Sequence, residues 1–264
     1  MARLKAERQA ARRKQRDAQQ KRNAVIGGAI ALVVVALVIG LVAWSPWNNN
    51  NPIATPTPTA VATTPAPSPS NTVQLAGCTT APNIRTTDLS FTKPPAYNAS
   101  QGSVLNLNTN CGLIAIQTDP AAPKTSAAML GLAQAGFFDL TKCHRLTTAG
   151  IYVLQCGDPK GNGTGGPGYS IKDENLPKGK GSPSVYTYTA GTVAMANAGA
   201  NTGGSQFFIV YKDSPLGPNY AIWGHVVKGL DRVQAVAAAG VQGGGTDGPP
   251  AQPVVIKTAT VSKK

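Results

Sequence analysis

The residue types that most often perform acid–base or nucleophilic chemistry are scarce in this chain. It contains two histidines, His144 and His225, and neither belongs to a recognisable Ser-His-Asp or Cys-His pattern. Only 11 of the 264 residues are acidic, so paired carboxylates have few candidates. The glycine-rich run at 161–168, GNGTGGPG, lacks the Gly-Lys-Ser/Thr ending of a phosphate-binding loop and is interpreted as a flexible connection. Hydrolytic, metal and nucleotide chemistry therefore lack their usual residues.

Two segments carry the remaining candidates. Residues 143–158 read CHRLTTAGIYVLQCGD and place Arg145 in an alternating apolar and polar strand. Residues 195–210 read MANAGANTGGSQFFIV, where small polar residues predict a loop with accessible backbone and the last five residues predict a strand. Because successive strand residues point to opposite faces, we expect Phe208 to face a groove and Phe207 to face the core. A solvated or salt-bridged strand residue remains the alternative for Arg145.

The elements that would position these segments are mostly short strands. Residues 103–119 predict a hairpin with an Asn-Cys-Gly turn. A helix is expected from Pro123 to about Ala135, ended by Gly136, and a second at 230–239. Many strands with two helices favour a closed antiparallel barrel capped by helices. Further strands are expected at CHRLTT, YVLQC, GTVAMA, QFFIVY, AIWGHVV and PVVIKTATV.

The first 44 residues predict a membrane anchor. Residues 1–23 contain nine lysines and arginines against two acidic residues, within a chain of net charge +13. Residues 24–44 are uncharged and mostly apolar, a length that crosses a bilayer core of about 30 Å. A cleaved signal peptide and a buried core helix are the alternatives. The positive-inside rule places 1–23 in the cytoplasm and the rest outside, in a single-pass membrane protein. The basic tail then requires no nucleic-acid partner.

Residues 45–96 are rich in Pro, Thr and Ser and predict a disordered extracytoplasmic linker, followed by a folded domain at 97–264. Residues 91–98, FTKPPAYN, either finish this linker or dock back on the active groove. The four cysteines all lie beyond the anchor, which favours disulfides over a metal site. Three pairings are possible, and we favour Cys143–Cys156 with Cys78–Cys111. A zinc site at Cys143, His144 and Cys156 lacks the usual ligand spacing.

Over about residues 103–261 the sequence resembles the cyclophilin family of peptidyl-prolyl cis–trans isomerases. The matching motifs, in order, are APKTSAAMLGLA, FFDLTKCHRL, VLQCGD, GNGTGGPG, DENLP, MANAGANTGGSQFFI and WGHVVKGLDRV. With its anchor and proline-rich stalk, the chain resembles bacterial, actinobacteria-like members. The resemblance implies a mainly β fold, a closed antiparallel eight-stranded barrel capped by two helices, and an isomerase that assists the folding of exported proteins.

The resemblance also implies a site. Arg145 would be the catalytic hydrogen-bond donor and Gln155 would orient it or the substrate carbonyl. No cofactor or metal is expected. We expect a proline pocket formed by Phe208, Val153 and Leu216 with Tyr152 beside them. The remaining peptide-binding residues are Ala196, Asn197, Gln206 and Tyr220.

Several positions depart from the family pattern. Two extra residues lie between Arg145 and Gln155, Val153 replaces the usual Met, and Cys156 replaces a Gly. Pro215 and Tyr220 stand where many eukaryotic relatives carry Trp and His. Because that Trp binds cyclosporin in those relatives, we expect weak cyclosporin binding.

Two functions other than isomerisation remain open, and the expected partners are those of an isomerase. The alternatives are a membrane-tethered proline-peptide-binding module or holdase with little turnover, and a structural surface domain on a stalk. We expect a monomer whose partners are proline-containing segments of exported or membrane proteins.

Overall fold

The computed structural model of the chain describes residues 74–87, 89–97, 102–181 and 184–263. The predicted basic tail, the predicted membrane span at 24–44 and the linker up to residue 73 lie outside the described residues. Among the helices that are described, none is long and apolar enough to cross a membrane.

The fold begins with the predicted hairpin. Strand β1 (Ser103–Thr109) pairs with β2 (Gly112–Thr118) in antiparallel register. The intervening Asn110–Cys111 turn is tightened by the Thr109 side chain, whose Oγ1 donates to the Gly112 carbonyl at 2.7 Å. Gly112 has a φ of 107°, a conformation that favours glycine. The hairpin prediction is confirmed.

Both predicted helices are present. Helix α1 (Pro123–Gln134) begins with proline, whose missing N–H is not needed in the first turn. Glu174 Oε2 accepts the next two backbone N–H groups, from Lys124 at 2.9 Å and Thr125 at 2.8 Å. Gly136, with a φ of 69°, follows its end. Helix α2 (Leu230–Ala238) packs Val233, Val236 and Ala237 into the core.

The remaining strands are β3 (Thr141–Lys142), β4 (Arg145–Thr147), β5 (Val153–Cys156), β6 (Tyr186–Tyr188), β7 (Thr192–Met195), β8 (Phe207–Val210), β9 (Ser214–Leu216), β10 (Ile222–Lys228), β11 (Asp247–Gly248) and β12 (Val255–Lys263). Within the described residues, the main sheet has ten antiparallel strands rather than the predicted eight. Its order is β11-β4-β5-β8-β7-β10-β2-β1-β12-β3, and β6 and β9 form a separate two-stranded sheet. The very short strands β3, β6, β9 and β11 were not predicted from the sequence.

The sheet curls but does not form the predicted closed eight-stranded barrel. Only two residues, Cys143 and His144, separate β3 at one end of the strand order from β4 near the other. Strand β3 pairs with β12, whereas β4 pairs with β5 and β11. Because the chain changes its pairing partner between β3 and β4, no single continuous strand joins the two ends of the sheet. The sheet therefore curls without closing into a barrel.

The strands bury residues on both faces. One large cluster contains Trp223, Phe137 and Phe207 with both helices, and a smaller cluster contains Phe208 and Tyr188. Phe207 and Ile209 of β8 enter the large cluster, while Phe208 and Val210 enter the smaller one. The expected division between Phe207 and Phe208 is confirmed.

The residues before the domain form an arm, defined as 74–87 and 89–97, that packs on the sheet and α1. Arg85 donates from Nη1 and Nη2 to the carbonyls of Gly136 and Phe137, at 2.9 and 2.7 Å. The Phe91 ring lies 6.2 Å from the ring of Phe137. The predicted domain start at residue 97 is therefore too late, because these contacts tie residues assigned to a linker to the core.

Both favoured disulfides are present. Cys78–Cys111 joins the arm to the β1–β2 turn, and Cys143–Cys156 joins the segment between β3 and β4 to the end of β5. The second bridge rules out a zinc site at these cysteines, because a disulfide leaves no thiolate to bind a metal.

Candidate functional site

Three neighbouring strands place the main candidates in one row. Arg145 of β4 lies opposite Gln155 of β5, and Gln155 lies opposite Phe208 of β8. Residues paired directly across antiparallel strands project from the same face of a sheet. The row therefore carries a cation, an amide and an aromatic ring across one surface.

Arg145 is held on two sides. Its Nε and Nη2 each donate to one carboxylate oxygen of Asp247 at 2.7 Å, and its Nη1 donates to Gln155 Oε1 at 3.3 Å. The bond to Asp247 raises the pKa of Arg145, and the same bond lowers the pKa of Asp247. Both side chains therefore stay charged through the neutral pH range.

The guanidinium keeps donors for a ligand. Of the five N–H groups of an arginine, the contacts within the described residues engage three. One N–H on Nη1 and one on Nη2 remain. Arg145 can therefore donate to a bound molecule without giving up its contacts to Asp247 and Gln155.

A chain of amide hydrogen bonds continues from Gln155 into the neighbouring loop. Gln155 Nε2 donates to Gln206 Oε1 at 2.9 Å, and Gln206 Nε2 donates to the carbonyls of Gly163 and Gly165. The fully buried Asp158 organises this loop by accepting backbone N–H groups, including that of Asn162 at 2.9 Å. The sequence alone suggested no role for Asp158, although its place three residues before Gly161, the start of the glycine-rich run, was a usable signal.

Arg145 lies at a small pocket of about 170 Å³. Drug-sized ligand sites are usually about 300 Å³ or larger, so this pocket fits one compact apolar group. The wall combines the guanidinium and the Gln155 amide with aliphatic and aromatic side chains. The lining residues are Arg145, Ile151, Val153, Gln155, Ala196, Asn197, Phe208, Leu216 and Tyr220.

A second cavity of about 480 Å³ adjoins the pocket. The two share Gln155, Ala196 and Asn197, and the far wall of the second cavity is the loop at 163–170. Gln206 lies in this second cavity. The two depressions are therefore joined through Gln155, Ala196 and Asn197.

The structure brings together nine of the ten predicted site residues across these two cavities. Tyr152 is the exception and lies on the other side of β5. Lys212 Nζ lies 4.4 Å from the centre of the Tyr152 ring, and Tyr211 packs against the ring edge-on. Ile151, which sequence analysis missed, lines the pocket instead. Counting back from Gln155 in steps of two residues would have selected Val153 and Ile151 and excluded Tyr152.

Asp247 was also missed, and no local signal identifies it. It lies 102 residues from Arg145, in a glycine- and proline-rich segment without a predicted strand. Strand β11 reaches β4 only after the chain has passed α2.

Within the described residues, no group of three or more His, Cys, Asp or Glu side chains is arranged to hold a metal ion. His144 is buried, and neither ring nitrogen has a hydrogen-bond partner among those residues. Burial lowers the pKa of His144, as do Lys142 and Arg145, while Asp158 opposes them. The neutral imidazole is therefore the favoured form.

The family model described as cyclophilin type peptidyl-prolyl cis-trans isomerase/CLD matches residues 104–261. A probable peptidyl-prolyl cis-trans isomerase B of Mycobacterium tuberculosis is 48% identical over 164 residues, covering 58% of this chain and 52% of that protein. The corresponding Mycobacterium leprae protein is 44% identical over 178 residues, covering 63% and 57%. The match thus spans little more than half the length of these relatives.

A solved structure agrees with the fold. A cyclophilin type peptidyl-prolyl cis-trans isomerase of Cryptosporidium parvum matches with a TM-score of 0.50 and 25% identity, covering 61% of this chain and 98% of that one. The family match covers more than half of the present chain and includes every strand and helix that forms the site. The chain belongs to the cyclophilin-type peptidyl-prolyl cis–trans isomerase family.

Proposed function

We propose that the chain is a peptidyl-prolyl cis–trans isomerase acting on proline-containing peptide segments. The observation that carries the proposal is the position of Arg145, which has N–H donors to spare and lines a small pocket together with aliphatic and aromatic side chains. A proline ring is a compact apolar group of the kind that such a pocket accepts.

The reaction requires no nucleophile. Rotation about a peptide bond meets a barrier of about 18–20 kcal/mol, because resonance gives the C–N bond partial double-bond character. In the twisted transition state the proline nitrogen regains a lone pair. A hydrogen bond from Arg145 to that nitrogen is stronger in the transition state than in the planar ground state, and so accelerates rotation.

The other site residues have supporting roles in this proposal. Phe208, Val153 and Leu216 would hold the proline ring, with Ile151 at the position first expected for Tyr152. Ala196, Asn197 and Gln206 border the second cavity, where the residues before proline would lie. Tyr220 would close one side of the pocket.

The test is an isomerisation assay on the purified full chain with a peptide containing Ala-Pro-Phe. The wild type should exceed the uncatalysed rate. Arg145→Ala should lower kcat/KM by about a hundredfold, the loss typical of one transition-state hydrogen-bond donor. Lys257→Ala, an exposed basic residue on β12, is the matched control and should keep full activity.

The rival function is a proline-peptide-binding module or holdase with little turnover. The same variants separate it, because binding alone does not require a donor to the twisted nitrogen. If the wild type binds the peptide but fails to exceed the uncatalysed rate, the isomerase proposal is wrong and the binding module replaces it.

We further propose a single-pass membrane protein, with residues 1–23 in the cytoplasm, residues 24–44 across the membrane and the catalytic domain outside. The uncharged run at 24–44 and the basic residues before it support this orientation. Cys78–Cys111 and Cys143–Cys156 also fit an oxidising compartment. Protease added to intact cells should remove the domain, and protection from it would contradict the proposal.

The proposed partners are proline-containing segments of exported or membrane proteins, bound by a monomer that needs no cofactor. Weak cyclosporin binding is part of this proposal, since Pro215 and Tyr220 replace the Trp and His of many eukaryotic relatives. Nanomolar inhibition in a titration would contradict the cyclosporin expectation.

A further inference from the structure

We propose that Asp247 is a positioning residue that orients the Arg145 guanidinium for isomerisation. The inference rests on the proposed function and adds a residue from a distant part of the chain to it. Asp247 binds the edge of the guanidinium formed by Nε and Nη2, with both bonds at 2.7 Å. Such a two-point contact fixes the plane of the group as well as its position.

Gln155 alone leaves that plane less well defined. Its single bond to Nη1 is 3.3 Å long, so the guanidinium could rotate about it. With Asp247 on one edge and Gln155 near the other, the two remaining N–H groups point in a set direction. Arg145 lines the pocket, so that direction decides whether the donor reaches a proline nitrogen.

Asp247 is itself held by the backbone. Strand β11 pairs Asp247 with Thr147 and Gly248 with Leu146. The Thr148 N–H donates to the Thr246 carbonyl at 2.9 Å, immediately beside this pairing. Because β4 carries Arg145, the same backbone ladder holds both partners of the ion pair.

A role in folding stability does not explain the pair. The side chains of Arg145 and Asp247 are 39% and 53% exposed, and exposed ion pairs contribute little to stability. Near-attack geometry, in contrast, is sensitive to displacements of about 1 Å. The effect of Asp247 is therefore expected in the rate of the chemical step.

The test measures kcat and KM separately on the full chain, by exchange NMR or saturation kinetics. Asp247→Ala should lower kcat about tenfold, because the guanidinium then samples unproductive orientations, and should leave KM within about twofold. The kcat of Asp247→Asn should lie between those of the wild type and Asp247→Ala, since an amide oxygen can accept one of the two hydrogen bonds from the guanidinium. Asp231→Asn removes an exposed acidic charge that lies beside Arg232 and is the matched control.

A second measurement keeps the role distinct from a general structural effect. In an Arg145→Ala background, Asp247→Ala should change the residual rate by less than about twofold, since no guanidinium remains to be oriented. Circular dichroism and the melting temperature of Asp247→Ala should match those of the wild type.

Three outcomes for Asp247→Ala would overturn the inference: kcat and KM both unchanged, an increased kcat, or an unchanged kcat with an altered KM. The first means that Gln155 alone suffices, the second that Asp247 restrains the arginine unproductively, and the third that Asp247 contacts the peptide. Each requires an active wild type. A wild type that does not exceed the uncatalysed rate instead contradicts the proposed function.

Discussion

The two faces of strand β8 contrast a closed core with an open site. On one face, the Phe207 ring is fully buried and packs edge-on against Phe138 and Trp223, with ring centres 6.0 and 5.8 Å away. On the other, the Phe208 ring packs against Tyr220 at 5.3 Å and borders the 170 Å³ pocket. One strand thus packs the core through one residue and lines the proposed binding pocket through the next.

Phe207→Ala should have the largest effect on stability. Removing an enclosed ring leaves a cavity that its packed neighbours cannot fill, at a cost of about 3–5 kcal/mol in the free energy of unfolding. Urea unfolding of the purified full chain measures this loss. A loss below about 1 kcal/mol would mean that the core face is not close-packed.

Phe208→Ala should affect peptide binding and activity more than stability. Its ring already faces a cavity, so the loss in unfolding free energy should be smaller than for Phe207→Ala. Peptide binding and kcat/KM should fall at least about tenfold, because the ring of a bound proline loses its main apolar contact. The contrast between the two faces fails if Phe208→Ala is the more destabilising substitution and keeps its activity.

The smallest effect concerns His144, which is buried next to the partly exposed Arg145. Since burial holds the folded-state pKa of His144 below 6.5, the unfolded chain takes up a proton more readily. Its contribution to stability is therefore complete above pH 6.5 and decreases as pH falls toward the lowered pKa. His144→Phe should flatten the stability curve below about pH 7, where the imidazole of the unfolded chain takes up its proton. An unchanged slope would show that another group causes it.

Local features predicted much of the fold. The hairpin, both helices and the faces of Phe207 and Phe208 follow from turn residues, helix ends and the two-residue strand period. The curled sheet was less accessible, because β3 and β11 have only two residues each and β4 only three. Segments this short carry no measurable periodicity, and their pairing depends on residues far away in the chain.

The packing of the arm also depends on residues far away in the chain. Proline- and serine-containing composition predicted a linker up to residue 96. Yet Cys78 is bonded to Cys111, and Arg85 holds the carbonyls beyond the end of α1. Composition measures how much apolar surface a segment can bury by itself, and it does not register a surface that the rest of the chain provides.

The sequence by itself determined the family and the opposite faces of Phe207 and Phe208, because ordered motifs and strand alternation are properties of nearby residues. It left three disulfide pairings open, and the structure contains the favoured one. Only the tertiary structure decided that the arm packs on the domain and that Asp247 binds Arg145. These features depend on how the sheet curls. That curvature brings residues about a hundred positions apart within hydrogen-bond distance.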